Sequence, residues 1–187
     1  MSDIQKWITI NSRLVFNNKW CQVRQDTVKL SNGKIIDDFF VNIRPDIALV
    51  LPITKNNEIV FVRQYRHGVK EILLELPAGS FHPDREDALT AAKRELEEET
   101  GYVANKLTKL TTLYDNPVKD TNKIHLFIAE NVTQTSKQRL DETEAIAVVL
   151  IPINEVKNKI FQGDICVCGS ISAILLGLEF SRIYVDN

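Results

Sequence analysis

Apolar and polar positions alternate loosely over residues 12–30 and again over 34–44, with Ser31-Asn32-Gly33 between them as a hairpin turn signal. This spacing predicts an N-terminal antiparallel sheet over residues 1–45, ending at Arg44-Pro45-Asp46. Residues 47–53 (IALVLPI) and 59–62 (IVFV) are short apolar runs around a polar Lys55-Asn56-Asn57-Glu58 turn, which reads as two buried strands. Residues 72–76 form another strand candidate, stopped by Pro77. Further strands are expected at 108–114, 123–129 and 144–152. A short helix is expected at 154–162 and a longer one at 169–181, with Ile171, Ile174, Leu175 and Leu178 on one face. This mixed order predicts an α+β domain over 46–187, layered α/β/α, rather than a doubly wound parallel sheet.

Composition narrows the class. The 187 residues are 44% hydrophobic and 26% charged, as in a folded domain with a small appendage. A net charge of −2 argues against a nucleic-acid partner. No apolar run reaches the roughly 18–20 residues of a membrane span. The first ten residues lack the pattern of a secretory signal, so a cytoplasmic location is expected. Cys166 and Cys168 alternate inside an apolar run and read as small buried hydrophobes; with Cys21 they offer no second pair for zinc. His67, His82 and His125 have no ligand spacing.

Residues 79–102 (GSFHPDREDALTAAKRELEEETGY) carry the chemistry. Asp84 after Pro83 reads as an N-cap of a helix over 84–100, and Gly101 as its left-handed C-cap. Leu89, Ala92 and Leu96 mark its core face. Glu95, Glu98 and Glu99 share another side, with Glu97 nearby, at the end of the helix where the dipole is negative. Arg94 offsets part of that repulsion, pairing with Glu98. Two readings are open: a solvated acidic face, or oxygen ligands gathered for a hard divalent cation. The oxygen-only set favours Mg²⁺ or Mn²⁺ over zinc.

The segment resembles the Nudix box, G-x5-E-x7-R-E-U-x-E-E-x-G-U with U apolar. Gly79 opens it, Glu86 is its first glutamate, Arg94-Glu95-Leu96 gives R-E-U, Glu98-Glu99 gives E-E, and Gly101-Tyr102 closes it. Six residues rather than five separate Gly79 from Glu86, an insertion ahead of the helix. The resemblance implies the Nudix fold, a mixed sheet between helices, and Mg²⁺-dependent cleavage of a nucleoside diphosphate linked to another group. It implies Glu95 and Glu99 as metal ligands, Glu98 as a further ligand or a base, and the Ala78 carbonyl as another ligand. Arg94 would orient the glutamates.

The flanks resemble the ADP-ribose pyrophosphatase branch of that family. They are Arg63-Gln64-Tyr65-Arg66, Leu74-Glu75-Leu76-Pro77-Ala78-Gly79, Pro117, and Asp141-Glu142-Thr143-Glu144. Val118 stands where the branch has Gly. Arg63 and Arg66 suit a phosphate clamp. Tyr65 suits base stacking or core packing. Trp20 reads first as core and second as a ring stacking on adenine. Glu142 or Glu144 would be the loop base. The resemblance implies a homodimer paired through N-terminal sheets and hydrolysis of ADP-ribose or a similar sugar to AMP and a sugar phosphate. The alternatives are a hydrolase for GDP-mannose or another nucleoside diphosphate derivative, and a non-catalytic ADP-ribose-binding sensor.

Overall fold

The structure, a computed structural model, describes residues 4–185. It divides into two compact units: residues up to Pro45 with Tyr114–Asn122, and Asp46–Leu113 with the residues from Lys123 onward.

In the first unit, β1 (Ile8–Asn17), β2 (Gln22–Lys29) and β3 (Ile35–Ile43) form an antiparallel sheet in that order. Residues 12–30, one run by pattern, are therefore parts of two strands. The break is an Asx turn: Asn18 Oδ1 accepts the Trp20 and Cys21 amides at 2.8 Å each. Trp20 lies in this turn, 77% exposed, with Lys19 Nζ 4.6 Å from its ring centre. The expected core role of Trp20 is thus overturned, because a two-strand turn offers it nothing to pack against. Residues 114–122, grouped by sequence with the second region, run along β3 instead. Asn42 N donates to Lys119 O at 2.8 Å, Thr121 N donates to Asn42 O at 3.1 Å, and Arg44 Nη1 bridges Asp115 and Asp120 at 3.1 Å each.

The second unit holds β4 (Asp46–Thr54), β5 (Glu58–Arg66), β6 (Glu71–Glu75), β7 (Ala78–Phe81), α1 (Ala88–Thr100), β8 (Tyr102–Val103), β9 (Leu107–Tyr114), β10 (Lys123–Gln134), β11 (Ile146–Pro152), α2 (Ile153–Gln162) and α3 (Cys168–Val185). Its sheet runs β11-β5-β4-β10-β8, with β6 beside β5, β7 beside β4 and β9 beside β10. β4 and β10 are parallel, whereas β11–β5, β5–β6 and β4–β7 are antiparallel, so the sheet is mixed.

Strand periodicity sorts the core into two layers. Leu49, Leu51 and Ile53 of β4 join Leu126 and Ile128 of β10 against Ala173 and Ile174 of α3. Ala48 and Val50 join Phe127 and Ala129 against Ala91, Ala92 and Leu96 of α1. The α/β/α layering follows from that alternation. Two expectations fail at α3. Leu175 is exposed, its place in the core taken by Ala173 and Ile174. Cys166 and Cys168 are also exposed, because Cys166 lies in the loop before α3 and Cys168 opens that helix, and Ile165 fills the core there. Among the described residues no helix is long and apolar enough to cross a membrane.

Candidate active site

α1 begins later than its pattern implies. Asp87 is the N-cap: its Oδ1 accepts the Leu89 and Thr90 amides at 3.0 Å each, and its Oδ2 accepts the Thr90 hydroxyl at 2.6 Å. Thr90 above all holds the Asp87 carboxyl below the usual range. Asp84 does not cap, because the Glu86 amide it needs already donates to His82 O at 3.1 Å. Leu89 is exposed, and the buried stripe of the helix is Ala91, Ala92, Glu95, Leu96, Glu99 and Thr100. Two glutamates thus lie on the core-facing side, not on a solvated one.

Their surroundings explain how they are tolerated. Glu95 is 9% exposed and Glu99 only 4%. Gly79 of β7 faces Glu95, and any Cβ there would overlap the Glu95 carboxylate. Ala78 N donates to Glu99 Oε2 at 2.9 Å. The short segment behind Ala78 is fixed twice: Leu76 N donates to the buried Ser170 Oγ at 2.9 Å, and Val50 N donates to Pro77 O at 3.0 Å. At the far end of the helix Gly101, at φ 74°, donates its N–H to Glu97 O at 2.8 Å.

Arg94 organises the acids. Its Nε and Nη2 fork onto Glu86 Oε1 and Oε2 at 3.1 and 2.9 Å, while Nη1 reaches Glu95 Oε1 at 2.6 Å and Glu98 Oε2 at 3.2 Å. The fork onto Glu86, first, raises the affinity of Arg94 for its proton. Burial pushes the Glu95 carboxyl up, against the pull of Arg94, and pushes Glu99 up to about 8, with the charges of Glu95 and Glu144 adding to it. Two neighbouring buried acids, both with raised proton affinity, mark charge that the protein's own cations leave unbalanced.

Arg66, at the end of β5, forks onto Glu75 in the same way, Nε to Oε1 at 2.7 Å and Nη2 to Oε2 at 3.0 Å. That bond, first, raises its proton affinity, and Glu99 and Glu144 act in the same direction. Glu144 sits in a turn with Asp141: Glu144 N donates to Asp141 O at 2.9 Å, and Asp141 N donates to Glu144 Oε2 at 3.0 Å. The structure therefore brings together Ala78, Arg94, Glu95, Glu98, Glu99, Arg66 and Glu144. Glu142 is exposed in the same turn as Glu144. Arg63 and Tyr65 alternate with Arg66 along β5 and lie on the opposite sheet face. Tyr65 is half exposed rather than packed in the core, its hydroxyl 3.2 Å from His67 Nδ1. Arg63 lines a cavity of about 710 Å³ with Leu74, Val149, Glu155, Lys159 and Cys166. Trp20 belongs to the first unit. Glu75 and Ser170 were not singled out by the sequence. The signal for Glu75 is a lone acid inside the apolar run 72–76; Ser170 has none, because its partner lies 94 positions away.

These residues fit a hard divalent cation. The donors are oxygens only, two are buried acids with raised proton affinity, and Gly79 leaves the space one of them needs. Among the described residues no three acidic, His or Cys side chains converge as a ligand set as they stand; Arg94 Nη1 lies between Glu95 and Glu98.

A helix of buried acids laid on a mixed sheet between helix layers suits a metal-dependent hydrolase. The comparisons agree. Residues 43–165 match the NUDIX domain, and residues 7–42 match the nucleoside diphosphate sugar hydrolase N-terminal domain. The chain is 35% identical over 148 residues to the ADP-ribose pyrophosphatase of Bacillus subtilis (strain 168), covering 79% of each chain. It is 32% identical to the methanol dehydrogenase activator of Bacillus methanolicus, with 79% of each covered. A crystal structure of an ADP compounds hydrolase superposes with a TM-score of 0.85 at 25% identity, covering 97% of both chains. The chain belongs to the Nudix hydrolase family, whose members generally need a divalent metal.

Proposed function

We propose that this chain hydrolyses the pyrophosphate bond of ADP-ribose or a related nucleoside diphosphate sugar, with Mg²⁺ as cofactor and Mn²⁺ as a substitute. The observation that carries the reading is the burial of Glu95 and Glu99 against Gly79 and Ala78, within electrostatic reach of Arg66 and Glu144. The names of similar proteins, an ADP-ribose pyrophosphatase and an ADP compounds hydrolase, support the substrate class.

Glu95, Glu98, Glu99 and the Ala78 carbonyl would hold the cation. When bound, it supplies positive charge that offsets the diphosphate and polarises its phosphoryl oxygens. Arg94, anchored on Glu86, orients Glu95 and Glu98. Arg66 binds a diphosphate oxygen. Glu144 takes the proton of the attacking water; its charge is felt by Glu95, Glu99 and Arg66, which favours it over Glu142. A new P–O bond forms to water oxygen and the bridging P–O bond breaks, leaving AMP and a sugar phosphate. Three acids on one helix count against a sensor that only binds.

The proposal includes a homodimer in the cytoplasm. β1 is exposed along its whole length although it carries Ile8, Ile10, Leu14, Val15 and Phe16, an apolar surface that suits a second copy. Three free, exposed cysteines suit a reducing compartment.

A panel of nucleotide sugars with Mg²⁺ tests the reading by released mononucleotide. AMP from ADP-ribose in preference to GMP from GDP-mannose is expected. Equal or greater release of GMP would move the chain to the alternative substrate, and no release from any member would defeat the assignment.

A further inference from the structure

Two arginines flank the acid cluster, and both are tethered identically. Arg94 turns its Nε–Nη2 edge onto Glu86, and Arg66 turns the same edge onto Glu75. A guanidinium held by that edge keeps Nη1 for another partner. In Arg94 that partner is the acid pair Glu95 and Glu98.

Arg66 differs in what surrounds it. In the β5–β6 ladder it stands opposite Glu71, yet its side chain runs back along the sheet to Glu75 at the other end of β6. Glu75 is buried and belongs to the strand that leads into Leu76, Pro77 and Ala78. The Arg66 side chain keeps 44% of its surface exposed. It feels the charges of two more acids, Glu99 and Glu144. An arginine with several free torsions, on which the charges of three acids act, would settle on whichever acids were least balanced. Glu99 is such an acid, since it is nearly buried and, among the described residues, its carboxylate is hydrogen-bonded only by the Ala78 amide.

We propose that Glu75 is a positioning residue: its bidentate grip on Arg66 keeps the guanidinium off Glu99, leaving Glu99 free for a cation and Nη1 of Arg66 free for the diphosphate. The inference rests on the reading of Glu95, Glu98 and Glu99 as cation ligands. It assigns Glu75 no contact with substrate. Its effect passes through Arg66, so removing Arg66 must cancel the part of the effect that concerns the cation.

That cancellation is the test. Mn²⁺ binding is titrated by electron paramagnetic resonance, without substrate, for the wild type, Glu75→Gln, and the double variant Arg66→Gln, Glu75→Gln, and KM and kcat are measured alongside. Glu75→Gln should bind Mn²⁺ about tenfold more weakly, the scale of one charged hydrogen bond gained by Glu99. The double variant should bind Mn²⁺ at least as tightly as the wild type while KM stays raised, because the phosphate contact is gone. Mn²⁺ affinity unchanged in Glu75→Gln, or equally weak in the double variant, would overturn the proposal; the latter would make Glu75 a packing residue only. If Glu75→Gln does not fold by circular dichroism, Arg66→Lys, which keeps the charge but cannot fork, must show the same loss of Mn²⁺ affinity, and wild-type affinity there would overturn it too. A wild-type chain that binds no Mn²⁺ would remove the ligand reading and this inference together. Normal wild-type binding with no effect of Glu75 removes the inference alone.

Discussion

Gly79 and Glu95 occupy what would be the same space: a side chain at position 79 would overlap the Glu95 carboxylate. The absent Cβ is what lets α1 lay a buried acid against β7. Gly79→Ala must push Glu95 aside or lift the helix. A displacement of about 1 Å in a catalytic group costs on the order of a hundredfold in rate. We expect that loss in kcat/KM, together with weaker Mn²⁺ binding. A variant with wild-type kinetics would show that Glu95 need not stand where it does.

Glu99 makes stability depend on pH in a direction opposite to most acids. Its folded value of about 8 lies above the ordinary 4.5, chiefly through burial. The folded chain therefore keeps a proton that the unfolded chain has already released between those values, so stability falls as pH rises through that window. Calorimetry in EDTA should show Tm lower near pH 8 than near pH 5 by at least about 3 °C. Mg²⁺ should recover stability most at the alkaline end, since it replaces the proton. Glu99→Gln should flatten the slope. A slope of unchanged size in that variant would mean that other groups set it.

The layered fold was legible because strand and helix periods report burial directly. Residues 47–53 and 123–129 are apolar on both faces and became the parallel central strands β4 and β10. The acid cluster was legible in type and spacing but not in placement. Helix spacing puts Glu95 and Glu99 on one side without saying which side is covered, and the covering residue is a glycine. Boundaries suffered where a local bond competes with a pattern. Asp84 looks like a cap until His82 takes the Glu86 amide, and residues 12–30 look like one strand until Asn18 turns the chain. Arg63 and Arg66 look like a pair in sequence, yet their odd spacing sends them to opposite faces of β5. The lone acid in the run 72–76 marks Glu75, but its grip on Arg66 depends on strand pairing, which spacing does not report.

Glu98 separates chemistry from folding more cleanly than its neighbours. It is partly exposed, and its hydrogen bond to Arg94 at 3.2 Å is the longest of the four that Arg94 makes to glutamates. Glu98→Gln removes a charge but little packing, so Tm should move by less than about 2 °C, as for a surface change. As a cation ligand or a base, its loss should lower kcat by about a hundredfold or more. Normal turnover in this variant would confine the cation to Glu95 and Glu99.

β1 makes the dimer testable without touching the acid cluster. Ile10 and Leu14 are both exposed by more than half, 54% and 52%, within a strand exposed at every position. A strand of this kind is an aggregation hazard in a monomer, which natural sheets avoid with charges, bulges or a covering element. β1 has two register irregularities against β2 and one charged residue, Arg13, among its ten, yet Ile8, Ile10, Leu14 and Phe16 stay more than half exposed, a surface that suits a second copy. Light scattering should give about twice 21.3 kDa for the wild type. Ile10→Asp with Leu14→Asp should give a monomer, since two unpaired charges would be buried at the interface. If both proteins scatter as monomers at micromolar concentration, β1 faces water and the dimer is withdrawn. If both remain dimers, the copies meet elsewhere.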